Sequence, residues 1–167
     1  MIRRLGSHRG SRILFGYDRY LVPELSVYLE TLQGLGEVVE TVDSPLHYLT
    51  SAERLCRELR QDDVGILVCG TGIGMSIAAN KFRGVYAARC LTVEDAELSR
   101  TINNANVLCL SANRGFALNR AMIHAFVQTP YTGRKLEELE YIVELEAATA
   151  PARSTTRPVK RNVRRTA

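Results

Sequence analysis

The sequence predicts a three-layer α/β domain: a five-stranded parallel sheet with helices on both faces and one more helix toward the C-terminal end. Three observations lead there. Apolar runs of strand length alternate along the chain with segments of helical periodicity, the pattern of parallel strands joined by helices. One run, Gly65-Ile66-Leu67-Val68, is apolar at every position, as a strand buried on both faces must be. It leads into Cys69-Gly70-Thr71-Gly72-Ile73-Gly74, and from about Met75 the residues favour a helix, with Ala78 and Ala79 small enough to pack closely on a sheet.

The elements follow in order. Residues 1–10 read as a loose, flexible leader. Residues 11–17 are the first strand, with Gly16 near its end and Asp18-Arg19 directly after it. Pro23 belongs in the first turn of a helix, where a missing N–H costs nothing; that helix reaches about Gly34. Residues 37–42 alternate and read as an edge-like strand. Ser44-Pro45 breaks the pattern, and a helix from about Ser51 carries Leu55, Cys56 and Leu59 on one face. The strand and glycine turn come next, then a short strand over residues 84–90. Thr92-x-x-Asp95 resembles a capping box with Asp in place of Glu and opens a helix to about Thr101. A polar turn, Asn103-Asn104-Ala105-Asn106, precedes the fifth strand at residues 107–110. A helix over residues 115–128 stops before Pro130, and residues 134–148 form the last helix.

At 167 residues the chain is one domain, residues 11–146, large enough for a substantial core. Its 46% apolar and 24% charged content is that of a soluble globular protein. No apolar run approaches the ~20 residues of a membrane span, and the first residues lack the apolar core of a signal peptide. Cys56, Cys69, Cys90 and Cys109 have no tight spacing. They are expected as reduced thiols in a cytoplasmic protein, not as a disulfide framework or a metal site. The net charge of +4 is carried by the end: Arg153, Arg157, Lys160, Arg161, Arg164 and Arg165 occur in residues 147–167 with no acid, and taking these six from +4 leaves −2 for the rest. The body is mildly acidic and shows no basic face of a specific nucleic-acid binder. The tail is expected to be disordered and solvated.

The glycine turn is where chemistry is expected. A strand, a glycine turn and a helix together present free backbone N–H groups and a positive helix end to an anion. A thiol at the mouth of that turn sits in an electropositive spot suited to reactivity. A Walker phosphate loop is excluded, because no Gly-Lys-Ser/Thr follows Gly74. A dinucleotide fingerprint fits poorly: Met75 stands where its third glycine belongs, and the stretch is not the first strand–helix unit of the chain. That Cys69 is only a small buried residue remains open. Ligands of such sheets bind at the carboxyl ends of the strands, and Asp18, Cys69 and Asn103 are all expected near those ends or in polar segments packed above them.

The stretch Cys69-Gly70-Thr71-Gly72-Ile73-Gly74-Met75-Ser76-Ile77-Ala78-Ala79-Asn80-Lys81 resembles the signature of the family of type B ribose-5-phosphate isomerases and galactose-6-phosphate isomerases. The resemblance extends over about residues 12–146 and implies a Rossmann-like or flavodoxin-like fold. It also implies a cytoplasmic sugar-phosphate isomerase acting through an enediolate, with no metal or other cofactor. Cys69 would be the base, Thr71 would relay or fix a proton, and the backbone of Gly70, Gly72, Ile73 and Gly74 would hold the oxyanion.

Beyond that stretch the likeness is uneven. The family's Asp-His after the first strand is Asp18-Arg19 here; Asp18 would bind substrate, and Arg19 could hold a phosphate. Pro45-Leu46-His47-Tyr48 resembles the family's Tyr-Pro-His-Tyr segment, where the histidine is structural. Ser99-Arg100-Thr101-Ile102-Asn103-Asn104-Ala105-Asn106-Val107 resembles Ser-Arg-x-His-Asn-x-x-Asn-Val, with Ile102 at the histidine acid's place and Asn103 left as a hydroxyl ligand. In the family this segment reaches into the partner subunit's site. Arg114 could serve for an arginine after strand five if shifted by one. Of two phosphate-binding arginines near the end, Arg134 can be matched and the other is lost. Retaining the cysteine side while losing the histidine resembles the B subunit of galactose-6-phosphate isomerase. The implied assembly is a homo-oligomer, or a hetero-oligomer with a histidine-bearing paralogue. The alternative is an impaired or dead homologue that binds sugar phosphate or serves only as a subunit.

Overall fold

The computed structural model describes residues 4–41 and 47–149. Its strands are β1 (Arg12–Tyr17), β2 (Glu37–Glu40), β3 (Val64–Cys69), β4 (Ala87–Arg89) and β5 (Val107–Ser111). They form one sheet in the order β2-β1-β3-β5-β4, with every neighbouring pair parallel. The helices are α1 (Leu25–Gln33), α2 (Tyr48–Glu58), α3 (Ile73–Ala79), α4 (Val93–Thr101), α5 (Phe116–Gln128) and α6 (Leu136–Thr149). The three-layer Rossmann-like architecture expected from the alternating pattern is the one observed.

Side-chain alternation along β3 divides the core. Val64, Ile66 and Val68 face the layer of α1, α4 and α5, where Tyr28, Leu32, Ala96, Met122, Ile123 and Phe126 cover them. Leu67 and Cys69 face the other layer, under Ala52 and Leu55 of α2 and Met75 and Ala79 of α3. Each large apolar side chain so buried contributes on the order of 1.5–3 kcal/mol. Gly65 lets α2 approach: a Cβ there would lie 2.8 Å from Leu55 Cδ2 and 2.9 Å from Val107 Cγ2.

Several boundaries differ from expectation for local reasons. Pro23 falls in a 3-10 turn, Arg19–Glu24, and α1 starts only at Leu25. A proline at 23 cannot donate to the carbonyl of residue 19, so no α-turn closes there. Helix α2 starts at Tyr48 and α3 at Ile73, both earlier than expected. The edge strand β4 is three residues long. Its Ala87 is bracketed by the Asn80 side chain, which donates to Ala87 O and accepts from Ala87 N, each at 2.9 Å. That amide occupies backbone groups an edge strand would otherwise leave open. The capping box of α4 forms with Asp95, which accepts from Thr92 N while Thr92 accepts from Asp95 N.

The expected loose leader is, from Arg4 to Gly10, held against the body. Gly6 and Tyr131 exchange both backbone hydrogen bonds, His8 N donates to Val127 O, and His8 is 3% exposed. Its anchor is Arg100, 1% exposed, which donates to Asn104 Oδ1, Ala105 O and Gly6 O and lies over the Phe126 ring. Burial, then the nearby Arg4, lowers this guanidinium to about 10. The leader's own residues do not reveal this, because the anchor is an arginine of α4 whose partners are carbonyl oxygens. The tail from residue 150 lies outside the described residues, as do residues 1–3. Among the described residues, no helix is long and apolar enough to cross a membrane.

Candidate active site

The strand order turns back between β1 and β3, and a cleft of about 500 Å³ opens at the carboxyl ends of these strands, where open α/β sheets bind ligands. It is lined by Asp18 and Tyr20 after β1, Cys69 at the end of β3, and the following turn. Tyr48 at the start of α2 and Asn113 after β5 complete it.

Cys69 ends a fully buried strand and is itself 4% exposed, its sulfur fixed by Gly72 N–H at 3.2 Å. The turn depends on Gly72. Its φ of +73° suits glycine, and a Cβ there would stand 3.0 Å from the backbone C and O of Leu110. The turn is pinned from β5: Ser111 Oγ donates to Gly70 O at 2.8 Å, and Asn119 Nδ2 holds Ser111 O at 2.9 Å. Tyr48 lies against Gly74, where a Cβ would come within 2.9 Å of Tyr48 Cδ2. Tyr20 lies over Gly70 in the same way, with room of 3.4 Å. The two tyrosines form aromatic walls on either side of the turn.

Asp18 is 5% exposed and caps the 3-10 turn by accepting from Tyr20 N at 2.9 Å. Burial raises its carboxyl above the ordinary carboxylate range, against the opposing effects of the Tyr20 and Gly70 N–H groups and the charges of Arg19 and His47. Not every N–H of the turn is available to an oxyanion. Gly72 N–H serves Cys69, and Ile73 N–H leans on Thr71 Oγ1 at 3.4 Å. Gly74 and Met75 stand in the first turn of α3, where N–H groups lack helical partners. Among the described residues, no three His, Cys, Asp or Glu side chains gather as a metal site.

Of the residues expected in the site, Asp18, Cys69, Gly70, Thr71, Ile73 and Gly74 line the cleft, and Gly72 shapes it from beneath. Arg19 sits beside it, exposed, with its guanidinium 5.6 Å from the Tyr20 ring centre. Arg114 is exposed in the short 3-10 turn Ala112–Arg114, and its neighbour Asn113 takes the lining position.

The expectation for Asn103 is overturned. A helix between parallel strands runs back across the sheet, so the end of α4 lies at the strands' amino ends. Gly65 N, at the start of β3, donates to Asn106 O. From Gly65 to Cys69 the strand alone spans about 13 Å. Ile102 and Asn103 therefore sit at the opposite edge from the cleft. Arg134 is there too, exposed, its carbonyl accepting from the hydroxyl of Tyr131, which pairs with Gly6.

Tyr20, Tyr48 and Asn113 were not singled out from the sequence. Two of them had a signal: Tyr48 closes the segment already compared with the family, and Asn113 adjoins Arg114. Nothing local marked Tyr20 beyond its place two residues after Asp18.

The comparisons agree with this geometry. Residues 21–142 match the model of the Ribose/Galactose Isomerase family. The chain is 35% identical over 124 residues to the DNA damage-repair/toleration protein DRT102 of Arabidopsis thaliana, covering 72% of this chain and 40% of that protein. It is 42% identical over 86 residues to ribose-5-phosphate isomerase B of Escherichia coli, covering 50% of this chain and 58% of that one. The match thus spans about half the length of these curated relatives, or less. Among solved structures, it resembles ribose-5-phosphate isomerase B of Mycoplasma genitalium with bound ribulose-5-phosphate. That likeness has a TM-score of 0.73 at 30% identity and covers 85% of this chain and all of that one. With the family match spanning most of the domain and the fold shared throughout, the chain belongs to the ribose/galactose isomerase family.

Proposed function

We propose that the protein interconverts an aldose phosphate and its ketose through an enediolate, with Cys69 as the base. The observation that carries this is the position of Cys69. Its sulfur ends a central strand, is oriented by a backbone N–H, and opens into a cleft walled by Asp18, Thr71 and the glycine turn. The reaction needs a base at the carbon beside the carbonyl, donors for the oxyanion that develops, and a group to manage hydroxyl protons. Cys69 removes the carbon proton and returns it to the neighbouring carbon. The first-turn N–H groups of Gly74 and Met75 face the enediolate oxygen, Thr71 Oγ1 handles a hydroxyl proton, and Asp18 and Asn113 hold the sugar hydroxyls.

A second feature qualifies the unit that acts. Ile102 occupies the place of the family's histidine acid, and Ile102, Asn103 and Arg134 stand at the far edge of their own sheet. This favours a cleft completed by a second chain, either another copy or a histidine-bearing paralogue. The test is isomerase activity on a panel of tetrose, pentose and hexose phosphates for the wild type, for Ile102→His, and with a paralogue added. The proposal expects slow turnover by the wild type, because a missing general acid typically costs about 10²–10⁴-fold, and recovery in one of the other arms. Full activity of the isolated wild type would refute the need for a partner. No activity in any arm, with no protection of Cys69 by any of the sugars, would leave only a subunit or dead-homologue role.

A further inference from the structure

Tyr20 is 59% exposed, yet it lines the cleft and is held in place there. A Cβ on Gly70 would meet three consecutive ring carbons of Tyr20: Cδ2 at 3.4 Å, Cε2 at 3.6 Å and Cγ at 3.7 Å. Nearly equal distances to neighbouring ring carbons mean that the face of the ring, and not its edge, is turned toward Gly70. The Arg19 guanidinium stands 5.6 Å from the ring centre, a cation–π contact that steadies the ring at the rim. The backbone N–H of Tyr20 donates to Asp18 Oδ1 at 2.9 Å. A single residue thus fixes the carboxylate of the cleft and sets a flat apolar surface over the glycine that follows Cys69.

We propose that Tyr20 is a specificity-determining residue of the cleft, its ring face packing against the C–H side of the sugar's carbon chain. The inference rests on the sugar-phosphate reading above. A sugar chain has two kinds of surface. Its hydroxyls need hydrogen-bonding partners, and its C–H groups suit the apolar, electron-rich face of an aromatic ring. The lining of the cleft divides in the same way. Asp18, Thr71 and Asn113 offer polar atoms, and the Tyr20 ring offers a flat face over Gly70. Tyr48, against Gly74, bounds the other side of the turn. In D-ribose 5-phosphate the chain hydroxyls all fall on one side and leave the other side to C–H bonds. Inverting carbon 3, as in D-xylose 5-phosphate, turns a hydroxyl toward the ring. That hydroxyl loses water and gains no partner from the ring face, which is costly. Tyr20 therefore selects sugars whose hydroxyls share one side of the chain.

The test uses the full chain and does not depend on turnover. Cys69 is alkylated with iodoacetamide at rising concentrations of D-ribose 5-phosphate or D-xylose 5-phosphate, for the wild type, Tyr20→Phe, Tyr20→Leu and Tyr20→Ala. The half-protecting concentration is read within each variant, so a change in the access of the reagent to Cys69 does not enter it. Thermal melts confirm that each variant is folded, and the bond to Asp18 survives because the backbone N–H makes it. In the wild type, D-ribose 5-phosphate should protect at the lower concentration. Tyr20→Leu and Tyr20→Ala should raise that concentration about 2- to 12-fold, the range for losing an aromatic contact. They should change the value for D-xylose 5-phosphate little, so that the ratio between the two epimers narrows. Tyr20→Phe should keep both values, because the ring face remains. A loss in Tyr20→Phe as large as in Tyr20→Ala would make the hydroxyl the working group and overturn the proposal. Unchanged protection in Tyr20→Ala, no epimer preference in the wild type, or an equal loss for both epimers would overturn it too, while leaving the isomerase reading intact. Wild-type Cys69 left unprotected by either sugar, with no turnover of any sugar phosphate, would overturn both.

Discussion

Gly72→Ala tests whether the turn, and not merely the presence of Cys69, makes the site. Two costs can be separated. The φ of +73° penalises any Cβ by about 1–2 kcal/mol. The new methyl would also stand 3.0 Å from the Leu110 carbonyl group, which belongs to the fully buried interior strand β5 and cannot yield. The turn must therefore lift from β5, and the 3.2 Å contact from Gly72 N–H to Cys69 Sγ opens with it. A reacting group misplaced by about 1 Å costs on the order of 10²-fold in rate. Gly84→Ala is the matched control, because Gly84 has a φ of +77° but nothing within 4 Å of its would-be Cβ. Both variants should lose stability from the backbone term, about 2–4 °C of melting temperature per kcal/mol at this size. Only Gly72→Ala should also lose about 10²-fold in kcat and in the alkylation rate of Cys69. Equal kcat and equal Cys69 reactivity in the two variants would refute the argument that the turn's contact with β5 sets the geometry.

Other consequences are open to direct measurement. Cys69→Ser should abolish isomerisation, since a serine hydroxyl is a far weaker base at neutral pH. Iodoacetamide should label Cys69 ahead of the other thiols, because burial pushes Cys56 up to about 12, Cys90 up to about 11 and Cys109 well above the ordinary range; mass spectrometry showing Cys56 or Cys90 labelled first would contradict this. Burial, with Arg100 and Arg4, lowers His8 to about 3 from 6.5. The unfolded chain therefore binds a proton that the native one refuses, and stability should fall as pH drops below 6.5, by up to about 1.4 kcal/mol per unit from this group. Urea midpoints at pH 7, 5.5 and 4.5 should show that fall, and His8→Gln should flatten it. Asp63→Asn removes one partner of a two-pronged pair, Arg12 Nε–Oδ1 at 3.1 Å and Nη2–Oδ2 at 2.6 Å, both largely buried. A loss of about 2–3 kcal/mol is expected, and an unchanged urea midpoint would show the pair to be neutral.

The sheet was legible because its strands are continuous apolar runs and because glycine, proline and a capping box mark the breaks between elements. The cysteine turn was legible because its chemistry is local: Cys69, Gly70, Thr71, Ile73 and Gly74 are consecutive or nearly so, and Asp18 directly follows a strand. What was not legible depends on direction and approach. Asn103 was assigned to the wrong edge because a polar turn near a strand looks the same at either end; only the backward run of α4 distinguishes them. Tyr20 and Tyr48 line the cleft because Gly70 and Gly74 have no side chains, a relation between residues 26 or more positions apart. The packing of residues 4–10 rests on a buried arginine whose partners are carbonyls, and no charge pattern reveals that.

The two edges of the sheet do different work, and this bears on how the erosion of the family pattern should be understood. The carboxyl edge keeps Cys69, the glycine turn and Asp18 together at the ends of β1 and β3, strands that are buried apart from Arg12. The amino edge is also firmly built: Arg100, Asn104, Gly6 and Tyr131 bind the ends of α4 and α5 to the leader. Ile102, Asn103 and Arg134 project from this rigid base. A strand length of about 13 Å separates the edges within one chain, so a substitution at Ile102 cannot act on its own Cys69 by contact. If the position acts at all, it acts on another chain's cleft, and that is measurable by complementation. A Cys69→Ser, Ile102→His double variant has no base, and the wild type has no histidine at 102. Each should be slow alone, and mixing them after dissociation and reassembly should produce activity neither has, carried by wild-type clefts facing the introduced histidine. Activity of the mixture equal to the sum of its parts would mean that the far edge contributes nothing to catalysis, and that the proton-handling group must be sought beside Cys69, among Thr71, Tyr20 and Tyr48.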